Sequence, residues 1–225
     1  RERMRGLSET AREEMTEYYT MWVHQIKTPI AAMRLLLQKP GQEQDPELSE
    51  QLFRIEEYVN MVLQYLRVDG DNDLVVQWND LDLMVRQAVH RYAGMFIWKK
   101  LSLSYEPLNR KVLTDEKWLV FVVEQILSNA VKYTGQGGIS IYLEPGPDTV
   151  LAIRDTGTGI ALEDQPRIFE KGFTGYNGHA DKRSTGIGLY LCRRILNRLS
   201  HEITVESEPG KGTIMRIWFA KERLE

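Results

Sequence analysis

The chain has 225 residues, 42% of them hydrophobic, which is enough for one large or two ordinary folded domains. Its 29 Lys and Arg are interspersed with 32 Asp and Glu, and a net charge of −3 without a basic block argues against a nucleic-acid-binding surface. The single cysteine, Cys192, excludes an intramolecular disulfide and is expected to pack in a core. No stretch reaches the ~18 to 20 consecutive apolar residues of a membrane span and no signal peptide is recognisable, so the chain reads as soluble. It begins Arg1-Glu2-Arg3 without an initiator Met, and a longer protein carrying a membrane part is expected to precede it.

From about Arg12, the residues Met15, Tyr19, Trp22, Ile26, Ile30, Met33 and Leu37 recur at intervals of three or four, the stripe of a long amphipathic helix. Lys39-Pro40-Gly41 breaks it. Asp45-Pro46-Glu47 then supplies an N-cap, a first-turn proline and an acidic first turn for a second helix, striped by Leu48, Leu52, Ile55, Val59, Val62 and Leu66. A two-helix hairpin cannot cover its own apolar stripes, so pairing with a second copy is its natural completion. Asp69-Gly70-Asp71-Asn72-Asp73 reads as a linker. Beyond it, strand-like runs at 74–78, 101–105, 139–143, 149–154, 203–206 and 213–219 alternate with helical patterns at 81–99, 116–133 and 187–199. That pattern predicts an α+β sandwich, one sheet covered by helices.

Four places in this frame carry chemistry. In Trp22-Val23-His24-Gln25-Ile26-Lys27-Thr28-Pro29, the histidine lies about 200° around the helix from both Trp22 and Ile26, so it faces water beside a proline that loosens the backbone. A neutral, exposed imidazole is a good phosphoryl acceptor. His90, His179 and His201 lack ligand spacing, so no metal cluster forms around it. On the 116–133 helix, Gln125, Asn129 and Lys132 or Tyr133 fall at i, i+4 and i+7 or i+8, a polar stripe on an otherwise apolar helix. Asp155-Thr156-Gly157-Thr158-Gly159 follows a strand-like run; its glycines permit close backbone approach and its carboxylate can accept from an exocyclic amino group. Thr185-Gly186-Ile187-Gly188-Leu189 leads straight into a helix whose N-terminal N–H groups suit phosphate, and Pro209-Gly210-Lys211-Gly212-Thr213 reads as a hairpin turn.

In this fixed order, the His24 run, Asn129-Ala130-Val131-Lys132-Tyr133, the Asp155 to Gly159 run and the Thr185 to Leu189 run resemble the catalytic half of a bacterial sensor histidine kinase, over nearly the whole chain. The resemblance implies an all-α dimerisation and phosphotransfer hairpin over residues 1–68, completed as a dimeric four-helix bundle. A linker, 69–73, then leads to a catalytic ATP-binding domain, 74–225. The latter would be an α+β sandwich of the type shared by gyrase, the 90 kDa heat-shock chaperone, MutL and histidine kinases. His24 would accept a phosphoryl group from ATP and pass it to an aspartate on the receiver domain of a response regulator. Relatives mostly carry Glu or Asp where Gln25 stands; glutamine can fix the ring tautomer but cannot take a proton. Thr28 matches the position that orients a water for dephosphorylating the regulator.

The same resemblance gives the nucleotide contacts. Asn129, with Gln125, would hold Mg²⁺, and Lys132 and Tyr133 would lie near phosphate. Asp155 would meet the adenine amino group, flanked by Gly157, Gly159 and Ile160. Lys171 and Phe173 would precede a lid over 174–183, in which Lys182 and Arg183 are candidate phosphate contacts. Thr185, Gly186, Gly188 and Leu189 would form the phosphate turn, and Thr213 would lie near the nucleotide. The wording around His24 most resembles small intramembrane-sensing kinases paired with ABC exporters of peptide antibiotics. That implies a homodimer on the cytoplasmic side of the plasma membrane and an ABC transporter as partner. The competing reading, motivated by Gln25 and Gln125, is a catalytically degenerate nucleotide-binding scaffold. No GxxxxGK[ST] loop or HRD/DFG set is present, so P-loop and Ser/Thr/Tyr kinase chemistry is excluded.

Overall fold

The computed structural model describes residues 26–27, 30–35, 37, 46–68, 74–175 and 186–220. His24, Gln25, Thr28, the linker, Lys182, Arg183 and Thr185 lie outside the described residues. The chain divides into two compact units, Arg1–Asp73 and Leu74–Glu225.

In the first unit the described residues between 26 and 37 are helical, and α1 spans Pro46–Arg67. Ile30 packs with Leu52, Val59 and Leu63, with Ile26 and Leu37 against them. Arg34 pairs with Glu56, and Arg54 with Glu50. The α1 stripe therefore splits. Leu52 and Val59 are buried, whereas Leu48, Ile55 and Val62, each seven residues apart, stay 49%, 43% and 39% exposed.

The second unit is an α/β sandwich. Its elements in chain order are β1 (Gln77–Asp80), α2 (Leu81–Lys99), β2 (Ser102–Tyr105), β3 (Lys111–Thr114), α3 (Glu116–Tyr133), β4 (Gly138–Leu143), β5 (Val150–Asp155), α4 (Gly188–Arg198), β6 (Glu202–Glu208) and β7 (Gly212–Trp218). A five-stranded sheet runs β2-β4-β5-β7-β6, parallel between β2 and β4 and antiparallel elsewhere, and β1 and β3 form a separate antiparallel pair. Alternation puts Ile139 and Ile141, Leu151 and Ile153, and Met215 and Ile217 into one core with α3.

Helix α3 sits centrally, between α2 and α4 and against β5. Its start is fixed by Asp115, whose carboxylate accepts from the Trp118 N–H at 3.1 Å and the Val75 N–H at 2.7 Å. Asp80 caps α2 by accepting from the Asp82 and Leu83 N–H groups. Cys192 on α4 is fully buried, as a packing cysteine should be. Among the described residues, no helix is long and apolar enough to cross a membrane.

Two expectations need correction. A strand over 74–78 is displaced to Gln77–Asp80, because its register is set by pairing with β3, which the apolar pattern did not reveal. The Val75 N–H goes instead to Asp115. Gln125, expected on a polar stripe opposite the core, is buried at 7% exposure, so the half-buried polar end of α3 begins only beyond it.

Candidate functional site

The last turn of α3 is the natural starting point, because its carbonyls have no partner within the helix. All four are taken. The Thr134 N–H donates to Ala130 O at 3.1 Å, the Lys99 ammonium donates to Val131 O at 2.6 Å and Lys132 O at 3.2 Å, and the Thr158 N–H donates to Tyr133 O at 3.2 Å. The loop after β5 is thereby tied to the end of the helix that carries Asn129, Lys132 and Tyr133. Asn129, Lys132 and Tyr133 are half-buried, with the Lys132 ammonium 5.1 Å from the Tyr133 ring centroid.

Asp155 closes β5, opposite Thr213 on β7 and Ile139 on β4. It is 8% exposed, and burial raises its pKa above the ordinary carboxylate value. Backbone N–H groups of Gly157 and Thr213 hydrogen-bond the carboxylate and oppose that rise, the former reaching Oδ1 at 2.8 Å. The loop fits only because its glycines lack side chains. A Cβ on Gly157 would stand 2.5 Å from Tyr133 O, and one on Gly159, which has φ +70°, 2.1 Å from Glu208 O. Gly212, at φ +106°, would put a Cβ 2.0 Å from Asp155 O.

Ser207 on β6 holds this end of the sheet together. Its Oγ accepts from the Ile160 N–H at 2.8 Å, donates to Gly212 O at 2.8 Å and lies 2.9 Å from Thr213 Oγ1. The Gln165 amide donates to Ser207 O at 2.8 Å and Ile160 O at 3.2 Å. Neither Ser207, Gln165 nor Lys99 was marked by the sequence. A serine, a glutamine and a lysine in ordinary surroundings carry no motif signal, and only the folded register shows their partners.

At the other side, Gly186 packs on Gly172 and Phe173: a Cβ there would be 2.4 Å from Gly172 C, and the Gly172 N–H donates to Gly186 O at 2.9 Å. Helix α4 begins immediately afterwards, with the side chain of its N-cap residue, Ile187, making no capping hydrogen bond. Its first N–H groups, near Gly188 and Leu189, thus present a positive pole. Arg167 stacks over Phe173, its guanidinium carbon 4.4 Å from the ring centroid, and Lys171 is exposed. The structure therefore gathers two clusters through direct contacts: Asn129 to Tyr133 with Asp155 to Ile160 and Thr213, and Lys171 to Phe173 with Gly186. Among the described residues, no group of three or more His, Cys, Asp or Glu could hold a metal. A buried acceptor beside a close-packed backbone turn, with a helix N-terminus in the same unit, suits a nucleotide.

Comparison with known proteins agrees. Residues 114–223 match the family model for histidine kinase-, DNA gyrase B- and HSP90-like ATPases. The chain is 36% identical over 201 residues to the sensor protein BceS of Bacillus subtilis, covering 88% of this chain and 60% of that one. It is 35% identical over 204 residues to the sensor protein kinase GraS of Staphylococcus aureus, covering 89% and 59%. It spans about 60% of the length of these relatives. Among solved structures, the Acinetobacter baumannii histidine kinase AdeS is similar at a TM-score of 0.59 and 22% identity over 89% of this chain and 98% of that one. Full-length ShkA in complex with AMPPNP is similar at a TM-score of 0.64 and 22% identity, over 90% and 45%. Over residues 114–223 the chain matches this ATPase family, and over most of its own length it is similar to the catalytic portion of bacterial two-component sensor kinases.

Proposed function

We propose that this chain phosphorylates His24 from ATP and hands the phosphoryl group to an aspartate of a response regulator. The observation that carries the reading is the meeting of the α3 end, the Asp155 loop and Thr213 at one end of the sheet. Asp155 accepts from the adenine amino group, and Gly157, Gly159 and Ile160 let the base approach. Lys132, Tyr133 and Lys171 face phosphate charge, Phe173 shapes the lid's base, and Thr185, Gly186, Gly188 and Leu189 offer backbone N–H groups. The amide oxygen of Asn129 is a hard donor suited to Mg²⁺, with Gln125 buried beneath it on the same helix. Bound there, Mg²⁺ would screen the triphosphate charge.

The His24 ring nitrogen attacks the γ-phosphorus, forming a P–N bond as the bond to the ADP oxygen breaks. Gln25 holds the ring tautomer, and Thr28 orients a water when the regulator is dephosphorylated. The exposed Leu48, Ile55 and Val62 stripe supports assembly of two hairpins into a four-helix bundle. The resemblance of the residues around His24 to intramembrane-sensing kinases extends this reading to a response to antimicrobial peptides, with an ABC transporter as partner through a membrane part.

The test is incubation with Mg²⁺ and γ-labelled ATP. Acid-labile, base-stable label on the chain, absent from His24→Ala, is expected. Nucleotide binding by a dimer that never acquires label would instead support the scaffold, and ADP release without label would support a gyrase-like ATPase.

A further inference from the structure

A hydroxyl has one proton to give. The Ser207 hydroxyl lies 2.8 Å from Gly212 O, an atom that can only accept, so its proton goes there. Ser207 Oγ already accepts the Ile160 N–H, and its 2.9 Å contact with Thr213 Oγ1 then requires the Thr213 hydroxyl to donate. Thr213 Oγ1 is left with lone pairs only, on the strand register that places Thr213 opposite Asp155. The Asp155 carboxylate takes the N–H groups of Gly157 and Thr213, which hold it as an acceptor too. Asp155 and Thr213 thus present two neighbouring acceptors, with the Ser207 and Thr213 hydroxyl protons both turned inward.

We propose that Ser207 is a positioning residue for purine selection, because it fixes the direction of the Thr213 proton. An acceptor pair favours an amino group at the purine 6-position, or a water that donates to the ring beside it. A 6-oxo group there would meet acceptors with an acceptor. The inference rests on the nucleotide reading above. Loss of Ser207 would free Thr213 to rotate and donate outward, so the 6-oxo purine would gain what the 6-amino purine loses.

The experiment compares dissociation constants for ATP and inosine triphosphate, which differ at the 6-position and its neighbouring ring proton. The unsubstituted chain is expected to prefer ATP. Ser207→Ala should cut that preference about tenfold, and Ser207→Thr, which keeps a hydroxyl, should hold it within about threefold. Thr213→Val, which replaces the hydroxyl with a methyl of the same shape, should cut it similarly, and adding Ser207→Ala should cut it no further. Equal weakening of both nucleotides by Ser207→Ala would overturn the inference alone, as would a chain that binds both equally. Failure of the unsubstituted chain to bind any purine triphosphate would overturn it together with the nucleotide reading.

Discussion

Helices α1 and α3 are of similar length, 22 and 18 residues, and both announce themselves by apolar periodicity, yet they end in opposite states. Helix α3 buries residues around most of its circumference, from Trp118 to Val131; apart from Glu124, which pairs with Arg91, its half-buried polar groups lie from Ser128 to its end. Helix α1 buries Leu52, Val59 and Leu63 and leaves Leu48, Ile55 and Val62 in water. An apolar half-stripe left over at heptad spacing indicates a missing helix. A polar remnant at the end of a buried helix, where all four carbonyls are already satisfied, indicates a ligand.

The sharpest way to break this comparison is to place the same charge on each helix. Ile126 is 2% exposed, and Ile126→Asp would bury an unpaired carboxylate, costing on the order of 4 kcal/mol or more and abolishing the catalytic unit's cooperative melt. Ile55 is 43% exposed, and Ile55→Asp should leave that melt in place. Its effect belongs to association: sedimentation should show the dimer dissociating at roughly a hundredfold lower dilution, about 2.7 kcal/mol. A dimer as strong in Ile55→Asp as in the unsubstituted chain would mean that the exposed half-stripe is surface and nothing more.

A second difference lies in pH. The described helical residues of the first unit contain no buried histidine, whereas the catalytic unit contains His201 at 3% exposure. Its Nδ1 accepts the Ala220 N–H at 3.3 Å, so the ring proton sits on Nε2 and is donated to Thr114 Oγ1 at 3.1 Å. Burial lowers its pKa from 6.5 to about 4, because a charged ring there would lose water, and a backbone hydrogen bond with Ser200 only partly opposes that. Above about pH 6.5 neither folded nor unfolded chain binds this proton, and the stability is whole. Between pH 6.5 and about 4 only the unfolded chain binds it, so stability falls as the pH drops, by up to about 3 kcal/mol in total. Urea melts of the catalytic unit across this range should show that slope, and His201→Gln should flatten it.

Much of this was legible beforehand, and unevenly. The limits of α2 and α3 were legible as helical patterns over 81–99 and 116–133, and the structure shows Asp80 and Asp115 capping them. Strand β3, Lys-Val-Leu-Thr, was not legible: four residues without alternation gain strand geometry only from a partner over thirty positions away. The glycines of the Asp155 loop were visible as a motif, but what each one avoids, a carbonyl of Tyr133 or Glu208, is a property of the folded register. Gln125 shows the limit of periodicity: i, i+4 spacing placed it with Asn129, whereas the neighbouring helices enclose one and stop short of the other.

The smallest effect concerns two residues that share one local geometry. Helices α2 and α4 both end in a residue with φ near +56°, Lys100 and Ser200. In each the following N–H reaches back five residues, Leu101 to Phe96 O at 3.0 Å and His201 to Leu196 O at 2.8 Å. That closure calls for a left-handed residue, and a Cβ there costs about 1 kcal/mol relative to glycine, partly offset by glycine's extra freedom when unfolded. Lys100→Gly and Ser200→Gly should therefore each raise the catalytic unit's stability by about 0.5 kcal/mol, or a few degrees of melting temperature. Both side chains are exposed, so little packing is lost. Because both lie in the second unit, the gain should appear in its melt and leave the association constant of the helical unit where it was. A shift in that constant would show that the two units do not melt independently.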